Sequence, residues 1–135
     1  MIDIENDVYD YISKALTTQY QGIYVSGEYV PAPPSFPAVS IVEMNNRVFE
    51  RMRTLNIENA AVVTFECNVY SNKAAGKKAE AKEIASTLDS AFASIGFTRT
   101  MKNPVPNYKD ATIHRIVCRY EAIVDKNFWI YQNNT

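Results

Sequence analysis

Between Ala60 and Gly96 the apolar residues change from a two-residue period to a helical one, and that switch leaves few architectures open. From Ala60 to Tyr70 an extended chain places Val63, Phe65, Cys67 and Val69 on one side and Thr64, Glu66, Asn68 and Tyr70 on the other. One side is core, and the other is wet or shared. From Asn72 to Ile95 the residues Ala81, Ile84, Ala85, Leu88, Ala91, Phe92 and Ile95 form an apolar stripe, and Gly96 suits the left-handed residue that closes a helix. A strand therefore breaks straight into an amphipathic helix, expected to lie across a sheet through Ile84, Leu88, Phe92 and Ile95.

That helix opens with the wrong charge. Its amide end carries roughly +0.5 charge and favours carboxylates, yet Lys73, Lys77 and Lys78 crowd it. Lys73 with Lys77, and Lys78 with Lys82, are also like-charge i,i+4 pairs, each costing about a few tenths of a kcal/mol. Three readings fit: an anion at the helix end, a contact with an acidic protein partner, or a solvated face.

Ahead of this unit, Ile4, Val8, Tyr11, Ile12, Ala15 and Leu16 recur at helical spacing, with Asp3 placed to cap and Glu5 and Asp7 suited to the amide end. Ile23 to Val30 is β-prone. The run from Pro31 to Pro37 is expected to be a stiff extended connector, because proline fixes φ and biases the residue before it away from helix. Ala38 to Met44 reads as a strand. Asn45 to Asn59 mixes Arg47, Arg51 and Arg53 with Val48, Phe49, Met52 and Leu55 in neither period, as a hairpin extension or as a loop ordered on binding. Arginine is enriched at interfaces, so Arg47, Phe49, Arg51 and Arg53 are interface candidates. After a turn at Asn103 to Asn107, Ala111 to Val124 alternates with Ile116, Cys118, Tyr120, Ala122 and Val124 on one side. Near the end of the sequence Phe128, Trp129, Ile130 and Tyr131 are four large apolar residues, and exposed aromatic clusters of this kind mark a subunit contact.

The 135 residues, 47% of them hydrophobic, suffice for one domain. A net charge of -1 argues against a protein that coats nucleic acid, so no sequence-specific nucleic-acid partner is expected. Cys67 and Cys118 lie within core-like strands and are expected to be reduced, buried thiols. The acidic start is unlike a signal peptide, and no apolar run approaches the ~18 residues of a membrane span; an intracellular protein without a membrane partner is expected. His114 is the only histidine, and no phosphate-loop, dinucleotide, zinc-protease or CxxC string occurs. No catalytic residue, metal ligand or cofactor is therefore expected.

Asn68-Val69-Tyr70-Ser71-Asn72-Lys73 leading into a Lys/Ala/Glu helix, then Gly96-Phe97-Thr98-Arg99-Thr100, Pro104-Val105-Pro106-Asn107, Asp110-Ala111-Thr112-Ile113 and Arg119-Tyr120-Glu121-Ala122, resemble the tail terminator (tail completion) proteins of tailed bacteriophages and contractile phage-tail-like elements. The likeness covers residues 60 to 126 best, and the rest in element order. It implies a small α+β protomer, with a mixed or antiparallel sheet on one side and two helices on the other. It further implies a hexameric ring on the head-proximal end of the tail tube, adjoining tube and sheath proteins and offering a face to the head-tail connector. The protein would then be a virion component, assembled in the bacterial host. A closed ring requires two different surfaces per protomer, and the Asn45 to Asn59 excursion and the Phe128 to Tyr131 tail are the candidates. Another head-tail joining or tail component, and a small ligand-binding domain or enzyme, are the alternatives.

Overall fold

The computed structural model describes residues 1–50, 59–106, 110–128 and 130–131. The order of elements is α1 (Glu5–Gln19), β1 (Tyr24–Ser26), β2 (Ala38–Val48), β3 (Ala60–Ser71), α2 (Lys77–Ser94), β4 (Thr98–Val105), β5 (His114–Asp125) and β6 (Ile130–Tyr131). The strands form one mixed sheet in the order β1-β2-β3-β5-β4, with β6 also paired to β5. β1 runs parallel to β2, and every other pairing is antiparallel. Since β3 occupies the other edge of β5 at Ile123 and Val124, β6 continues the β4 side of the sheet.

Both helices cover the same sheet face, which makes the fold α+β. Val8, Ile12 and Leu16 of α1 and Ile84, Leu88 and Phe92 of α2 share one buried cluster with Ile41, Phe65, Cys67, Cys118 and Tyr120 of the sheet. The alternation in β3 and β5 is obeyed without a slip: Phe65 faces Tyr120, Cys67 faces Cys118 and Val69 faces Ile116. Phe92 stacks on Tyr120 with ring centroids 4.2 Å apart, and Phe97 meets Phe92 edge-on at 5.3 Å. Aromatic pairs of this geometry add about 0.5–1.5 kcal/mol to what burial alone provides.

The C-terminus of α2 explains how Phe97 arrives there. Gly96 has φ +92°, a conformation that a side chain would strain. Its N–H donates to the Ala93 carbonyl at 3.0 Å, and the Phe97 N–H donates to the Phe92 carbonyl at 3.0 Å. These bonds close the last turn of the helix, and the chain reverses directly into β4 with Phe97 against Phe92.

Several boundaries differ from the sequence expectation. α2 starts at Lys77 rather than Asn72: β3 runs on to Ser71, and a turn ends at Gly76 with φ +94°. Lys73 therefore precedes the helix, and the Lys73–Lys77 helix pair does not form. β4 takes in residues 103–105 of the expected turn, whose last residue lies outside the described residues. Its side chains are mostly exposed, so it carries no apolar alternation to read, and Pro104 is accommodated because β4 is an edge strand. β2 extends to Val48, which resolves residues 45–48 as hairpin extension, whereas residues 51–58 lie outside the described residues. The proline-rich connector is not straight: it bends repeatedly, its Phe36-Pro37 peptide is cis, and Phe36 packs on a second small cluster of Ala38, Tyr70 and Ile113. That cluster lies on the sheet face opposite the helices, so the Tyr70 side of β3 is shared rather than wet. At α1 the cap position is Ile4, and Asp3 accepts a 3.1 Å hydrogen bond from the Glu5 N–H one step earlier.

Leu88 is fully buried on the inner face of α2. An unpaired carboxylate there costs several kcal/mol, a large fraction of the roughly 5–15 kcal/mol that holds such a domain folded. Leu88→Asp should therefore abolish cooperative thermal unfolding in circular dichroism; a cooperative melt within a few degrees of the parent would show that this stripe is not core. Cys67 and Cys118 are free and buried. A thiol titration of unfolded protein should find both, with a melting temperature indifferent to reductant.

Candidate functional site

The sequence-predicted interface residues do not converge on one place. Arg47 is exposed near the end of β2, on the face away from the helices, and Phe49 is half-buried with its N–H donating to Ala60 at 2.9 Å. Arg51, Arg53 and Trp129 lie outside the described residues. Phe128 is 56% exposed, with φ +64° in the turn into β6. Ile130 and Tyr131 pair with Val124 and Ile123, so the tail is partly absorbed into the sheet; of Tyr131 only the backbone is described.

The lysines at the start of α2 have a structural task that accounts for part of their misplaced charge. Lys77 Nζ donates to the carbonyls of Ala111 and Thr112, at 3.4 and 3.2 Å, and so ties the helix to the turn before β5. In that turn the hydroxyl and N–H of Thr112 both donate to the Asp110 carboxylate, holding it below the usual carboxylate range. Burial, helped by Lys78, Lys77 and Lys82, pushes His114 below its ordinary value. Beside this basic corner a groove of about 580 Å³ is lined by Pro104, Val105, Pro106, Ala111, Ile113, His114 and Arg115.

The face away from the helices carries a cross-strand polar ladder. Arg119 Nε donates to Glu66 at 2.9 Å, Arg115 Nε donates to the Asn68 side chain at 2.8 Å, and Thr64 donates to Glu121 at 3.5 Å. The Arg115 guanidinium also lies over the rings of Tyr29 and Tyr70, at 5.6 and 6.0 Å. Only the β3 half of this ladder was singled out in the sequence, as the wet or shared side. Its β5 half could have been found from Arg115, Arg119 and Glu121 alternating with core residues.

A second grouping escaped the sequence reading altogether, because its members are far apart in the chain. The register of β2 shifts between Glu43 and Asn45, a bulge at Met44 that leaves Glu43 and Asn46 on the same face. Asn46 then donates to the Ile2 carbonyl at 2.7 Å and to Glu43 at 3.2 Å. Burial, then a hydrogen bond and like charge from Glu5, with Asp3 adding repulsion, push the Glu43 carboxyl up to about 7. Near this corner α1 and β1 enclose a groove of about 520 Å³ lined by Glu5, Tyr9, Tyr24 and Glu28 among others.

Burial pushes both thiols up, which suppresses the thiolate a nucleophile requires. Among the described residues no group of three or more His, Cys, Asp or Glu is placed to hold a metal, and no helix is long and apolar enough to cross a membrane. No protein-family model and no curated protein matches the chain.

The Glu43 carboxyl titrates near 7 in the folded chain against 4.5 in the free group. Between these values the unfolded state has released a proton that the folded state keeps, so this group's contribution to stability is complete below the lower value and is lost as pH rises through the upper one. Glu43→Gln should therefore melt higher than the parent at about pH 8 and much closer to it at about pH 4. An equal offset at both values would show that Glu43 does not hold its proton.

Proposed function

We propose that the protein is a structural ring component of a tailed bacteriophage or phage-tail-like particle: a tail terminator that caps the head-proximal end of the tail tube, stops its growth and offers a surface for head-tail joining. The observation that carries this reading is where the tail-terminator-like phrases fall. Residues 68–73, 96–100, 104–107, 110–113 and 119–122 span the end of β3, the reversal after α2, the end of β4, the turn before β5 and the middle of β5. They belong to one structural unit, β3-α2-β4-β5, in which both helix ends and three strands are set.

The architecture suits a protein that works by shape. The helices seal one face and the connector covers part of the other, while among the described residues β1 and β4 form the two edges of the sheet. In such a ring the sheet edges point sideways toward neighbouring copies, and the strand ends near Arg47 point along the axis, toward the tube or the connector.

Purified protein mixed with tail tubes should place a ring at one end of each tube in negative-stain images and halt elongation. Tubes left bare, with the protein instead on capsid portals, would favour a head-side adaptor. Arg47→Glu should change stability by no more than about 0.5 kcal/mol, as exposed substitutions do, yet weaken capping, and the triple Glu variant of Arg47, Arg51 and Arg53 should abolish it. Unaltered capping by the triple variant would move the tube contact to another surface.

A further inference from the structure

The two free edges of the sheet differ in charge. Residues 1 to 46, which build α1, β1 and most of β2, carry six Asp and Glu against Lys14 alone. The described residues between 72 and 126, which build α2, β4 and β5, carry nine Lys and Arg against six Asp and Glu. Because the strand order is β1-β2-β3-β5-β4, these two regions occupy opposite ends of the sheet. At the β1 end, Glu5 and Glu28 line a groove, and Glu5 and Asp3 crowd Glu43. At the β4 end stand Lys102 and Arg99, the latter 3.4 Å from the Asp89 carboxylate of α2, with the Lys77, Lys78 and Lys82 corner and a groove walled by Pro104, Val105 and Ile113.

The two edges also stand at the same height. Pairing runs unbroken across five strands from Tyr24 through Ala38, Tyr70 and Arg115 to Val105, and from Ser26 through Ser40, Asn68 and Val117 to Asn103. A copy placed against β1 at this level meets its neighbour without a step along the strand direction, which is what a closed ring needs and a helical filament does not. β1 is only three residues long and β4 carries Pro104, so neither edge is a good template for backbone pairing. Recognition falls on the side chains.

We propose that copies of this chain join head to tail, the acidic α1–β1 edge of one protomer seated against the basic β4–α2 edge of the next; this rests on the ring reading above. Glu5 and Glu28 of one protomer then meet the basic side chains of the next, and the contact weakens as salt rises. Four strand spacings of about 4.8 Å and about 10 Å of side-chain packing at each junction give roughly 30 Å per protomer, so a ring of six, the number the resemblance implies, would have a radius of roughly 30 Å.

Two charge-reversed proteins test this. Glu5→Lys with Glu28→Lys reverses one edge, and Arg99→Glu with Lys102→Glu reverses the other. Sedimentation under conditions where the parent forms rings should find each variant monomeric and an equal mixture of the two reassembled, since every junction in an alternating ring is again attractive. Because reversal at Glu5 disturbs a helix end, Ser26→Cys with Asn103→Cys supplies a second measurement. A bismaleimide should link it into a ladder of up to six chains, while Cys67 and Cys118 stay buried and unreacted. Rings from either reversed variant, a mixture that stays monomeric, or no ladder from protein that forms rings would overturn the edge assignment alone. A parent that forms no ring even on tail tubes would overturn the ring reading itself.

Discussion

Everything in this fold hangs from the pairing of β3 with β5 beneath one aromatic stack. Twelve residues of each strand are in register without a bulge, and every inward side chain from Ala61 to Val69 is buried. Phe65 and Tyr120 present their rings from this pair to Phe92 and Phe97, which the closing turn of α2 brings together. The left-handed Gly96 thus does more than end a helix: it sets the angle at which β4 leaves, and so fixes the far edge of the sheet. On the other flank α1 reaches the same core through Val8, Ile12 and Leu16, and β2 and β1 follow from β3 in turn.

What could be read in the sequence follows from which positions are buried on one side only. The β3 alternation, the α2 stripe and the β5 alternation are strong periodic signals, and their core residues are those expected, with Ile95 packed at the margin. β4 was missed because an exposed edge strand buries almost nothing and so leaves no pattern, and because Pro104 reads as a turn. The first five residues expected in α2 were lost to Gly76, whose left-handed backbone ends a turn just before the helix begins. The Glu5–Glu43 contact was illegible for another reason: it depends on the bulge at Met44, which no local pattern announces. Of the interface residues, Arg47 and Phe128 are exposed as expected, and Lys77 is explained by the turn it holds.

The helices cover one face of the sheet, and the connector covers part of the other through Phe36. That second face carries a cross-strand polar ladder, the Glu66–Arg119 ion pair and the hydrogen bond from Arg115 to the buried Asn68. Charge is separated along the other axis as well, acidic at β1 and basic at β4. A chain with net charge near zero but opposite charge at its two ends is suited to meeting its own copies, and a heterologous contact of this kind orients them uniformly.

If copies of the chain join through these two edges, both edges become buried on assembly. Amide hydrogen exchange on the free chain and on the chain mixed with tail tubes reads this directly. Exchange should be slow across β3 and β5 in both states, with β1 and β4 exchanging quickly in the free chain and protected together on assembly. Protection that leaves both edges unchanged while it appears elsewhere on the molecule would contradict it.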